Sequence, residues 1–103
     1  MSGSGGGGYA PRESRCGNLS FSTVLGSPKR TVLALIRKGQ ILDLVLNTTP
    51  TKVVVAMTNA GQIAGTITTM TQKLIECIEE GNSYEAEVTK VTGLQCSVDV
   101  RPK

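Results

Sequence analysis

The sequence has no histidine and no tryptophan, one phenylalanine and two tyrosines. Without histidine, the side chain that titrates most readily near neutrality is missing, so acid–base catalysis has few candidates. Glu76, Glu79 and Glu80 have the spacing of a solvated helix face, and Asp43 that of an outward strand charge. None of the serines and threonines has an activating partner in view. A non-enzymatic protein with no cofactor is expected. The shortage of aromatics also leaves few platforms on which bases could stack. No apolar run approaches the ~20 residues of a membrane span, and the N-terminus lacks the basic-then-apolar layout of a secretory signal. The expectation is a cytoplasmic protein with no membrane partner. The three cysteines, Cys16, Cys77 and Cys96, are odd in number and sparse, which argues against a disulfide framework. Without histidine they also argue against a structural zinc site. Cys77 and Cys96 fall at core positions as small hydrophobes and are the two that could pair. Cys16 reads as an exposed free thiol.

What is present begins with glycine. Residues 1–17 open on Met1-Ser-Gly-Ser-Gly-Gly-Gly-Gly and read as a flexible tail with nothing to bury. Residues 18–103 then form a single small domain with an aliphatic core. The formal charge is +3, of which Arg12, Arg15 and Glu13 in the tail leave +2 for the domain. That balance permits nucleic-acid binding without implying it.

Leu19 to Leu25 alternates as a half-buried strand, with Leu19, Phe21 and Thr23 on one face. Ser27-Pro28 has the chemistry of a helix N-cap and first position. The following stretch ends in Arg37-Lys38-Gly39, which are stop signals. Residues 27–38 favour helix, although Thr31 to Ile36 also has strand composition. Ile41 to Leu46 is a strand with Leu42, Leu44 and Leu46 on one face. Val53 to Met57 lacks alternation, as a central strand covered on both faces does. It forms a hairpin with Gln62 to Thr66. Thr69 and Gln72 have capping-box spacing. Met70, Leu74, Cys77 and Ile78 make one stripe of a helix closed by Gly81. Tyr84 to Val88 and Leu94 to Val100 make a terminal hairpin about Gly93, with Tyr84 half-buried. The glycines of Gly61-Gln-Ile-Ala-Gly65 lack the lysine of a phosphate loop. They read as a turn and a close-packing point. The order β-α-β-β-β-α-β-β predicts an α+β domain: a small, mostly antiparallel sheet curled into a barrel-like core, with one or two packed helices.

One succession of motifs is similar to a known family. Gly39-Gln-Ile-Leu-Asp-Leu-Val-Leu leads to Val53-Val-Val-Ala-Met and then to Gly61-Gln-Ile-Ala-Gly-Thr-Ile. A helix follows, and then Gly81-Asn-Ser-Tyr-Glu-Ala-Glu-Val. Over residues 39–91 this resembles HIRAN domains, small β-barrels with a helix that occur alone or fused to helicases and nucleases. The loop Asn47-Thr-Thr-Pro-Thr-Lys departs from the family pattern. The resemblance implies a DNA-binding module for a strand end or unusual DNA structure, and it carries over only scaffold positions. Candidate DNA contacts therefore come from charge: Lys29, Arg30, Arg37 and Lys38 around the first helix, joined by Lys52 if the loop before Val53 lies near that helix. The rival reading is a small protein-interaction or immunity-type accessory module that uses a sheet edge or the glutamate-rich helix. Nothing in the sequence sets the oligomeric state.

Overall fold

The computed structural model describes residues 16–103. The first fifteen residues of the expected tail lie outside the described residues. In chain order the elements are β1 (Phe21–Val24), α1 (Arg30–Leu33), β2 (Ile41–Asn47), β3 (Val53–Met57), β4 (Ile63–Ile67), α2 (Thr71–Glu79), β5 (Tyr84–Thr92) and β6 (Gln95–Pro102). The six strands form one antiparallel sheet in the order β1-β6-β5-β2-β3-β4. The α+β class, the element order and the curled sheet predicted from the sequence are all present. No helix among the described residues is long and apolar enough to cross a membrane.

The sheet curls until its two outer strands meet. Beyond β1, Gly26 exchanges both backbone hydrogen bonds with Thr66 of β4, at 2.8 Å each, and the Lys29 amide donates to the Ala64 carbonyl at 3.0 Å. Thr23 and Thr69 share a hydroxyl hydrogen bond of 2.7 Å across the same seam. Glycine is required here for space. A Cβ on Gly65 would stand 2.8 Å from the Gly26 carbonyl oxygen and 3.0 Å from Leu25 Cβ. The close-packing role read from the sequence belongs to this glycine.

Antiparallel order assigns the two ends of the half-barrel. The ends of β1, β3 and β5 and the starts of β2, β4 and β6 share one end, here the upper. The helix α1 joins β1 to β2 and plugs the upper mouth with Val32, Leu33 and Ile36, all buried. The helix α2 joins β4 to β5 and plugs the lower mouth with Leu74 and Cys77. Between them, alternate residues fill the core, including Leu42, Leu44, Val54, Ala56, Ala86, Val88, Val98 and Val100. Val54, Val55 and Ala56 are consecutive and all buried, as expected of the central strand.

Several local expectations are corrected. Residues 27–38 are helical only over Arg30–Leu33, with Lys29 rather than Ser27 at the N-cap and no side-chain cap bond. Ser27 adopts φ +44°, which turns the chain onto the edge of β4, and pairing with that edge uses the backbone up to Lys29 before the helix begins. The capping box of Thr69 and Gln72 does not form. Thr69 is spent on Thr23, and Met70, at φ +52° and 47% exposed, is the N-cap rather than part of the apolar stripe. The stop at Gly81 is as read. Its amide donates to Ile78 and the Asn82 amide to Cys77, the paired bonds of a Schellman motif.

The largest correction concerns sulfur. Cys16 is neither exposed nor free: it is buried and forms a disulfide with Cys77, while Cys96 is the buried free thiol. The sequence places Cys77 at a core position of the helix, with Cys96 as the cysteine it could pair with. Its actual partner is the segment that enters β1, because that segment crosses the lower mouth beneath α2. Tyr84, read as half-buried, is 1% exposed, and its hydroxyl donates to the Cys16 carbonyl at 2.6 Å.

Two predictions follow from this packing. Gly65→Ala should cost about 1–3 kcal/mol in urea unfolding, because backbone rather than a flexible side chain blocks the new methyl. Gly17→Ala, with open space around it, should be neutral; equal midpoints for the two variants would refute the seam. Burial, and secondarily the Glu80 carboxylate, push the Tyr84 phenol above its ordinary value near 10. The folded state thus holds that proton more tightly than the unfolded state does. The stability it contributes is complete below pH ~10 and is lost as pH rises through the native value. Tyr84→Phe should lose about 1 kcal/mol at neutral pH with the hydrogen bond to Cys16. It should also decline less steeply in alkali than wild type, keeping the components from the Cys96 thiol, which burial raises, and from Lys103, which its bond to Asp43 raises. Parallel alkaline declines in urea titrations would rule this out.

Candidate nucleic-acid interface

The fold distributes the five sequence-predicted cations unequally. Lys29 caps α1, and its amide is fixed to Ala64 of β4. Arg30 is the first helical residue. Arg37 and Lys38 follow the buried Ile36 anchor, and two bonds hold them at the upper end of β5. The Arg37 amide donates to Gln40 Oε1 at 3.1 Å, and the Gly39 amide donates to the Val88 carbonyl at 2.7 Å. All four side chains are exposed.

Lys52 does not join them. It lies in the β2–β3 loop at the lower end, beyond the whole length of β2, on the order of 20 Å away at about 3.4 Å per residue. Its ammonium is 2.6 Å from the Glu79 carboxylate on α2. The loop that was to bring it to α1 leaves β2 at the opposite end of the barrel.

A fifth upper cation takes its place. Lys90 is exposed on β5, next to the register shift between Val88 and Lys90 and two pairs before the hairpin turn at Gly93. It escaped the sequence reading because it is remote in number from α1. The signal was available, since an antiparallel order puts the end of β5 beside the start of β2.

Residues 24–41, 58–66 and 88–98, which build the upper end, contain five cations and no carboxylate, and the carboxylates that border them, Asp43, Glu87 and Asp99, are bonded to Lys103, Arg101 and Ser22. The other described residues hold four cations and seven carboxylates. Most of those carboxylates are engaged locally. Arg101 reaches Glu87 at 2.6 Å and Glu85 at 2.9 Å, Lys103 reaches Asp43 at 2.7 Å, and Ser22 donates to Asp99 at 2.6 Å. Hydrogen bonds to Glu87 and Glu85 hold the Arg101 guanidinium above its ordinary value, and the bond to Asp43 does the same for Lys103. None of the five upper cations forms an ion pair among the described residues. Leu35, 65% exposed, and Leu94, 47% exposed, stand at this same end. Two shallow grooves lie elsewhere: one of about 450 Å³ beside Lys52 and α2, and one of about 360 Å³ between β1 and β6.

The upper end is therefore a rigidly based, unneutralised cationic surface with apolar side chains set into it. Such a surface suits polyanions, whose phosphates meet the cations without displacing internal partners. No protein-family model matches this chain, nor does any curated protein or any solved structure.

Proposed function

We propose that this protein is a non-enzymatic DNA-binding module of HIRAN type that takes a strand end or another unusual DNA structure on its α1 end. The observation that carries the reading is the segregation of charge: five unpaired cations and no carboxylate on one end of a domain whose remainder is acidic. The contacts are Lys29, Arg30, Arg37, Lys38 and Lys90, and Lys52 is left out. Leu35 and Leu94 supply apolar surface for sugars or unstacked bases where aromatic platforms are scarce. The motif resemblance over residues 39–91 points the same way. The rival protein-interaction reading has less sheet edge to use, because Ala64 and Thr66 of β4 are already bonded to Lys29 and Gly26. Its second route is weakened, because Glu79 of α2 is held by Lys52.

Fluorescence anisotropy with single-stranded, tailed and duplex oligonucleotides tests the proposal. Binding should be tight at low salt and fall with a log–log slope of about −3.5 to −4.5 if all five cations meet phosphates. Arg37→Glu with Lys38→Glu should abolish retention without changing the circular dichroism spectrum, whereas Lys52→Glu should bind like wild type. Absence of binding at low salt would end the DNA reading. So would an equal loss from Lys52→Glu, or a preference for anionic lipid vesicles over every oligonucleotide.

A further inference from the structure

The lower mouth carries a separate device. Cys16 and Cys77 are joined, with their Cα atoms 5.6 Å apart and a sequence separation of 61. Leu19, three residues after Cys16, is buried in the core, and its amide donates to the Cys16 carbonyl at 3.3 Å. The same carbonyl accepts the Tyr84 hydroxyl. Residues 16–20 thus form a strap across the lower mouth, tied to α2 by sulfur and to β5 by a hydrogen bond.

The helix held by this strap is poor by itself. It has nine residues, no side-chain N-cap bond and no cation in its last turn, where Glu79 and Glu80 oppose the helix dipole. Its capping bonds converge on Cys77, whose carbonyl accepts from both the amide and the side chain of Asn82. The disulfide therefore grips α2 at the residue on which its termination depends. The β-sheet has its own support: β2, β3, β5 and β6 are joined by backbone ladders in which neither Cys16 nor Cys77 takes part.

We propose that Cys16–Cys77 is a redox latch that controls how firmly α2 and the strap close the lower mouth. Opening is thiol–disulfide exchange. One thiolate of an external dithiol attacks a Cys16–Cys77 sulfur and expels the other as thiolate. The second thiol of the reductant then closes its own disulfide and releases the first cysteine. Two electrons pass to the protein, two protons complete its thiols, and the dithiol is oxidised. Both sulfurs are buried, so attack follows a local opening of the strap, and Glu80 Oε1, 4.0 Å from Cys16 Sγ, disfavours a thiolate there. Oxidation locks the mouth. Reduction leaves α2 held by Leu74 and its neighbours and by the exposed Lys52–Glu79 ion pair.

Hydrogen exchange of the full chain, oxidised and in dithiothreitol, is decisive. Reduction should speed exchange of the α2 amides at least tenfold and leave the β2–β3 and β5–β6 ladders unchanged. Cys16→Ser should match the reduced wild type and ignore the reductant. Alkylation after reduction should label Cys16 and Cys77 before Cys96. Failure of the two cysteines to pair under a glutathione oxidant would overturn the latch, as would α2 exchange that is indifferent to redox state. Loss of all protection on reduction would also overturn it, since the sheet is argued to stand without the bond. Oligonucleotide affinity belongs to the opposite end and should be the same in both redox states, so the latch and the DNA reading fail independently.

Discussion

The molecule depends on the seam at which β1 comes back to β4. A six-stranded sheet of short strands has two edges, and each edge is a row of unpaired backbone groups as well as an opening into the core. Gly26 and Gly65 let two backbones pass where a Cβ would clash. Two reciprocal hydrogen bonds and the Lys29–Ala64 bond then occupy the edge of β4. Once the seam is closed, the side chains of six strands share one interior, and only the two mouths remain to be filled. Each helix is short because it has only to span a mouth.

This arrangement explains which parts of the fold were legible in the sequence. Long-period signals survived: Leu42, Leu44 and Leu46 alternate, Leu74 and Cys77 are spaced for one helical face, and Gly81 and Gly93 take positive φ at turns. Signals that depend on what a residue meets elsewhere did not. Ser27 and Thr69 are good N-caps by type, yet one turns the chain onto a neighbouring strand and the other bonds across the seam. Cys16 and Cys77 stand 61 residues apart, and nothing local marks them as partners. Of the candidate site, the four cations around α1 were found by composition. Lys52 was wrongly grouped with them and Lys90 missed, because both errors concern which end of the barrel a loop reaches.

The two mouths are chemically unlike. The lower one holds the Cys16 strap, the C-terminal residue, the disulfide, a buried phenol and the carboxylates of α2 and of the start of β5. It is a place of cross-links. The upper one holds apolar anchors facing inward and cations facing outward, with few bonds between side chains. A cross-linked end resists deformation, whereas an end whose polar groups lack internal partners is available to an external one.

Stability gives no reason for that availability. Gathering like charges on one surface costs folding free energy through self-repulsion, and exposed ion pairs would relieve it at small entropic expense. The chain demonstrably makes such pairs: Arg101 takes two carboxylates and Lys103 and Lys52 one each. Glutamate at Thr58, Gln62 or Thr92, all at the upper end, would neutralise the surface without touching the core. Instead Thr58 serves its own turn, accepting a hydrogen bond from the Gln62 amide. A cost that the fold could avoid and does not accords with the polyanionic ligand proposed above, and the backbone beside these cations is tied to strand carbonyls at Lys29 and Gly39.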